Sequence, residues 1–288
     1  MHMDTTSPTA VRQPSLLDLS QPASAASTDT RRWIGRGQNF AVSWTCAGAD
    51  GTRTHVDSDD EALLLVLGAP VGISDQGTPI QAPARSVCIL PAKPWRMDLQ
   101  PGATCVVITS LRDGAQAGAL NEPAYAERDA RIAPVGPGYR PLRDGEQVRI
   151  LSIDSVSASK DKPRLKMLQT ATLSINWVEY DGPRDRSALS PHAHKSFEQG
   201  SLALAGDFVH HLRVEWGEDA NAWHDDQHAR LGSPSLMVVP VQMIHTSEGV
   251  GAGPHLLIDV FSPPRADFIA KGWVANSSDY AAPEASTP

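Results

Sequence analysis

Two stretches hold the side chains best suited to chemistry: Ser190-Pro191-His192-Ala193-His194-Lys195-Ser196-Phe197-Glu198 and, about fifty residues later, Pro240-Val241-Gln242-Met243-Ile244-His245. A β-strand turns alternate side chains to one face, so His192 and His194 project together, about 6.6 Å apart. That is the geometry of a chelate. Glu198 keeps the same even parity and is expected to add a carboxylate after a short bend, while His245 must come from another strand. Three imidazoles and one carboxylate form a set suited to one divalent ion of Fe, Mn, Ni, Co or Zn. A histidine pair alone is more often chance or hydrogen-bonded core; the glutamate and the distant histidine point to metal.

In these residues the chain resembles the cupins. The first cupin motif runs Gly, five residues, His-x-His, three or four residues, Glu, six residues, Gly; here His192-x-His194 is followed by three residues, Glu198, and seven residues to Gly206. The second runs Gly, five residues, Pro-x-Gly-x-x-His, three residues, Asn; Gly232, Pro240 and His245 match in order. Gln242 stands where that motif has glycine, Gly249 stands where it has asparagine, and Gly182 lies too far upstream to open the first motif. The resemblance covers residues 170 to 265. It implies a jelly-roll barrel in which His192, His194, Glu198 and His245 hold the metal.

Length and composition define what must position these groups. With 288 residues, 41% of them hydrophobic, the chain can bury one large or two ordinary cores. A formal net charge of -8, with no run of Lys and Arg, argues against a nucleic-acid partner, which would need a basic face. Three cysteines without a Cys-x-x-Cys read as buried thiols in a reducing compartment, so a cytoplasmic location is expected. No apolar run approaches a membrane span, and the N-terminus lacks the pattern of a signal peptide.

Residues 1–30 are rich in Ser, Thr, Ala, Gln and Pro and read as a disordered or docked tail, Leu16 to Leu19 being its apolar cluster. From 31 to 112, runs such as Ala62 to Leu67 and Val87 to Leu90 alternate with turn residues at roughly ten-residue spacing, the pattern of a sandwich or barrel. Residues 113–163 are irregular and form a connecting region with one clear strand, Val148 to Ile153. A second β-rich block fills 164–288, with helix-compatible Ala220 to His228 inside it.

The two blocks repeat. Aligning Gly68 with Gly206 sets Asp60 against Glu198, and aligning Pro91 with Pro240 sets Arg96 against His245. The chain is therefore expected to be all-β, two cupin-type barrels with few helices. In the first barrel the ligand positions read Thr54, Val56, Asp60 and Arg96, so that half is expected to hold no metal; His55 reads as a surface histidine. Treating Gly206-Asp207 as a two-residue hairpin turn would place Val209, His211, Arg213 and Glu215 inside the second barrel. His211 or Glu215 would then carry protons and Arg213 would grip a substrate carboxylate.

Four protein ligands leave two adjacent positions on a six-coordinate ion. The leading expectation is an Fe(II) oxidoreductase of dioxygenase type acting on a small, anionic, oxygenated organic acid. One alternative is an isomerase or lyase using Mn, Ni or Zn as a Lewis acid; another is a non-catalytic binding or sensor protein. A homodimer is the default assembly.

Overall fold

A computed structural model describes residues 12–20, 30–75, 77–112, 116–143 and 147–283. The apolar runs form two six-stranded antiparallel sheets with matching strand order. The first runs Arg149–Ser152, Ser86–Leu90, Ala62–Val66, Thr104–Ser110, Phe40–Cys46, Arg31–Arg36. The second runs Ser15–Asp18, Ser235–Val239, Gln199–Ala205, Pro254–Phe261, Ser174–Asp181, Leu165–Gln169. Each faces a smaller sheet across a barrel, of four strands in the first half and three in the second. The outer faces of the two large sheets meet. Leu63, Ile89 and Ile108 from one and Trp177, Leu236 and Ile258 from the other belong to a single buried cluster.

The edge strands are exchanged. Ser15–Asp18 precedes the first half in the chain yet pairs with Ser235–Val239 in the second, and Arg149–Ser152 precedes the second half yet pairs with Ser86–Leu90 in the first. The apolar cluster of the N-terminal tail is thus a strand, ending in Leu19 at 2% exposure; the rest of that tail, 1–11 and 21–29, lies outside the described residues.

The first barrel is filled with side chains. Val56, Leu64, Leu90, Trp95 and Met97 pack together inside it. Arg96 lies opposite His55, on the face away from buried Trp95 and Met97, and pairs with Asp98 at 3.2 Å. The expectation that Arg96 occupies the place of His245 is therefore corrected: alternation along the strand points it outward. The helix-compatible stretch Ala220 to His228 holds a short 3-10 turn, Ala220–Ala222, and leads into the strand Gln227–Leu231. Among the described residues the only α-helix is Ala266–Ala270, and none is long and apolar enough to cross a membrane.

The seam between the halves tolerates no added bulk at Gly35, where a Cβ would lie 2.6 Å from Leu17 Cδ1 and from Leu236 Cδ2. Gly35→Val should lower stability by roughly 1–3 kcal/mol, the usual cost of overpacking, read from the urea midpoint. An unchanged midpoint would show that the seam yields.

Candidate metal centre

His192 and His245 face each other in an antiparallel bridge, His192 N donating to His245 O at 3.1 Å and His245 N to His192 O at 2.9 Å. Directly opposed residues share a face, so both imidazoles enter the second barrel. His194 is anchored by its carbonyl, which accepts from Gln242 N at 2.7 Å. Making that bond puts Gln242 at φ 68°, the left-handed region that glycine enters freely. The glutamine found in place of the motif glycine therefore keeps the turn, at a conformational cost.

The ligand nitrogens of His192, His194 and His245 lie within 4.8 Å of one another. Adjacent ligands on one ion at bonds of about 2.1 Å are roughly 3.0–3.4 Å apart, so binding an ion would draw the three rings together. Two of the three rings direct their protons away from the centre, whereas His194 Nε2 donates to Gln199 Oε1 at 2.9 Å. His192 Nδ1 donates to Ser190 O at 2.8 Å and His245 Nδ1 to Met243 O at 2.9 Å, which leaves both Nε2 atoms as acceptors. Burial pushes His194 down to about 3 and His245 down to about 4, so both rings are neutral at pH 7.

Gln199 faces the triad. Its Oε1 lies 2.9 Å from His194 Nε2 and 3.2 Å from His245 Nε2. Its amide orientation is set from behind, where Nε2 donates to Asp259 Oδ1 at 3.0 Å and to Ser201 Oγ at 3.0 Å. With the His245 proton on Nδ1, His245 Nε2 and Gln199 Oε1 bring two lone pairs together at 3.2 Å. A cation held there would relieve that opposition. The donor set fits a divalent transition metal.

Glu198 is not part of this centre, a correction to the sequence expectation. Its Oε2 accepts from Gln38 N at 2.6 Å and its Oε1 from Tyr125 OH at 3.1 Å, while Arg12 Nη1 lies 3.7 Å away. The strand Gln199–Ala205 begins with Gln199 facing inward, so Glu198, one residue earlier, faces out toward the first half. Glu61 repeats the arrangement, accepting from Ala171 N at 2.8 Å and Tyr280 OH at 3.0 Å. Pairing registers identify it as the equivalent residue, since Ala62 opposes Leu90 as Gln199 opposes Val239. The repeat drawn through Gly68 and Gly206 set Asp60 in that place because of a β-bulge between Ala203 and Ala205 that the first half lacks. Asp60 pairs instead with Arg112 at 2.7 Å.

His211 and Arg213 also lie elsewhere. The strand Phe208–Arg213 pairs with Gln227–Leu231 and Ile244–Gly249 in the small sheet, not with Gln199–Ala205, so Gly206-Asp207 is a crossing between sheets rather than a hairpin. Phe208, His210 and Leu212 are buried and face inward; His211 and Arg213 lie on the outer wall, Arg213 bound to Asp226 at 2.5 Å. At Gly206, φ 90°, a Cβ would meet the His255 ring at 2.5 Å, so glycine is required both for the turn and for that contact.

A cavity of about 550 Å³ opens onto His192, His245 and Gln199 and is lined also by Asn176, Asp259, Arg164 and Arg184. Burial raises the Asp259 carboxyl above its ordinary range, and burial, with the Arg164 charge, lowers the Arg184 guanidinium. Among the described residues no carboxylate forms an ion pair with Arg164 or Arg184. Arg265, by contrast, is bound to Asp267 at 2.7 Å. Gln199, Asp259 and Arg184 were not singled out from sequence. The repeated glutamate was the available signal: a carboxylate that persists in the half without histidine ligands serves something other than ligation.

No protein-family model matches the chain, and no curated protein sequence does. Structural comparison gives AerE from Microcystis aeruginosa, 10% identical with a TM-score of 0.56, covering 88% of this chain and 99% of that one. The Lactobacillus farciminis oxalate decarboxylase formate complex is 11% identical with a TM-score of 0.58, covering 93% and 92%. A mutant of Bacillus subtilis oxalate decarboxylase OxdC is 11% identical with a TM-score of 0.56, covering 91% and 80%. The fold is that of a bicupin. Its first cupin barrel is packed shut and its second carries the histidine triad.

Two outcomes test this assignment. Glu198→Ala strands the Tyr125 hydroxyl and the Gln38 amide and should cost about 1–3 kcal/mol for each buried group while leaving metal content unchanged; His192→Ala should reduce metal affinity at least tenfold. Elemental analysis beside urea unfolding separates the two, and loss of metal in Glu198→Ala would restore the carboxylate as a ligand. The second outcome concerns pH. The folded-state values of His194 and His245 lie below the 6.5 of a free imidazole, so the unfolded chain protonates first; the associated stability is complete above pH 6.5 and is lost as pH falls toward 4. Metal-free His245→Asn should therefore lose stability less steeply than the native chain across that window, and parallel curves would contradict it.

Proposed function

We propose that this bicupin is a metal-dependent enzyme acting on a small organic acid, with the ion held by His192, His194, His245 and Gln199. The observation that carries the reading is the neutral donor set, with Gln199 Oε1 set against two imidazole Nε2 atoms, beside a cavity lined by Arg164 and Arg184, which among the described residues form no ion pair with a carboxylate. A neutral donor set leaves the full divalent charge on the ion, which as a Lewis acid would polarise a chelating carboxylate or carbonyl oxygen. That favours an isomerase, lyase or decarboxylase over the dioxygenase expected from sequence, where an anionic glutamate ligand was assumed. The Bacillus subtilis neighbour has Mn(II) centres, and the Lactobacillus farciminis neighbour was captured with formate, both in keeping with this chemistry.

Each residue then has a task. Arg184 and Arg164 bind and orient the substrate carboxylate, for which a guanidinium fork is suited. Asp259 holds Gln199 by its Oδ1 and, with its carboxyl raised by burial, carries a proton at the cavity wall. Phe197, stacked on His194 at 4.6 Å, keeps water from the inner side of the triad.

Screening small hydroxy and keto acids with Mn(II)- or Fe(II)-loaded protein under anaerobic conditions tests the proposal. Turnover without oxygen is expected; oxygen uptake that requires Fe(II) would return the dioxygenase reading, and thermal stabilisation by acids without turnover would indicate a binding protein. Arg184→Ala should raise KM for carboxylates at least tenfold with a smaller change in kcat, and an equal effect on neutral analogues would remove its role.

A further inference from the structure

The outer wall of the second barrel carries a second convergence of imidazoles, separate from the cavity. His211 and His228 are directly opposed on the antiparallel strands Phe208–Arg213 and Gln227–Leu231. Their Nδ1 atoms lie 2.7 Å apart, with ring centroids at 4.9 Å. His211 Nε2 lies 2.9 Å from Glu248 Oε2, and this glutamate, 5% exposed, also meets Arg186 at 3.3 Å. A carboxylate only accepts, so the His211 proton sits on Nε2 and its Nδ1 presents a lone pair. The hydrogen bond between the two rings is then made with the single Nδ1 proton of His228.

A divalent cation in place of that shared proton would take both lone pairs, the His228 proton moving to its Nε2. The buried carboxylate behind His211 fixes that ring's tautomer and orientation, the support that metal-bound histidines ordinarily receive. We infer that His211 and His228 form a second transition-metal site, on the outside of the barrel, backed by Glu248. Among divalent ions, a pair of imidazole donors suits Ni(II) or Cu(II). The remaining positions face solvent, Asp226 being held by Arg213.

Equilibrium dialysis of the untagged, chelator-stripped full chain against Ni(II) tests this. The native protein should bind one equivalent more than His228→Gln. The His192→Ala/His245→Ala variant, which lacks the inner triad, should retain the outer equivalent and lose it when His228→Gln is added. His211→Gln should match His228→Gln. Unchanged stoichiometry in both single variants would overturn the site, and the single variants decide the matter should the double variant fail to fold. Loss of the inner equivalent alone, on His192→Ala, reports on the triad and leaves the outer site standing.

Discussion

A buried carboxylate must find its partners or be displaced, and this molecule depends on that demand. Glu198 is 3% exposed and finds its donors, the Gln38 amide and the Tyr125 hydroxyl, in the other half of the chain. Glu61 makes the same demand in reverse, on Ala171 and Tyr280. Burial raises both carboxyls above the ordinary range, so each is held by geometry rather than by exposure to water. Fixing Glu198 outward fixes Gln199 inward, and that register delivers the amide oxygen to the histidines. The joint between the halves and the metal centre are thus two faces of one strand.

The pattern of strands was legible because alternation and turn residues are local properties. Val87 to Leu90 and Ala62 to Leu67 announced themselves, and His192, His194 and His245 were singled out from strand parity together with the resemblance to the cupin motifs. What sequence could not show was a bulge. One extra residue between Ala203 and Ala205 reverses the parity between Gly206 and Glu198, and no side chain there signals it. The same failing sent His211 and Arg213 to the wrong face: a hairpin assumed at Gly206-Asp207 is a crossing to another sheet, so the strand's partners differ. Local chemistry was readable; which strands meet was not.

The comparison of the two barrels shows how one architecture serves two ends. In the first, Trp95 and Met97 with Val56 pack into the interior among buried apolar neighbours. In the second, the corresponding large sheet turns Asn176, Gln199, Ser201 and Asp259 inward as a connected polar chain. Such a chain is stable inside a protein only when its members satisfy one another. Each end does so, the amide being oriented by the acid and the acid by three donors.

The exchange of edge strands reaches beyond the folded state. Ser15–Asp18 emerges first from the ribosome but has no sheet to join until Ser235–Val239 has been made, while the first sheet waits only for Arg149–Ser152. Vectorial synthesis therefore lets the first, packed barrel close early and leaves the second, which carries the histidine triad, open until Ser235–Val239 has been made. The nascent segment, with Leu16 and Leu17 in it, must stay available through that interval.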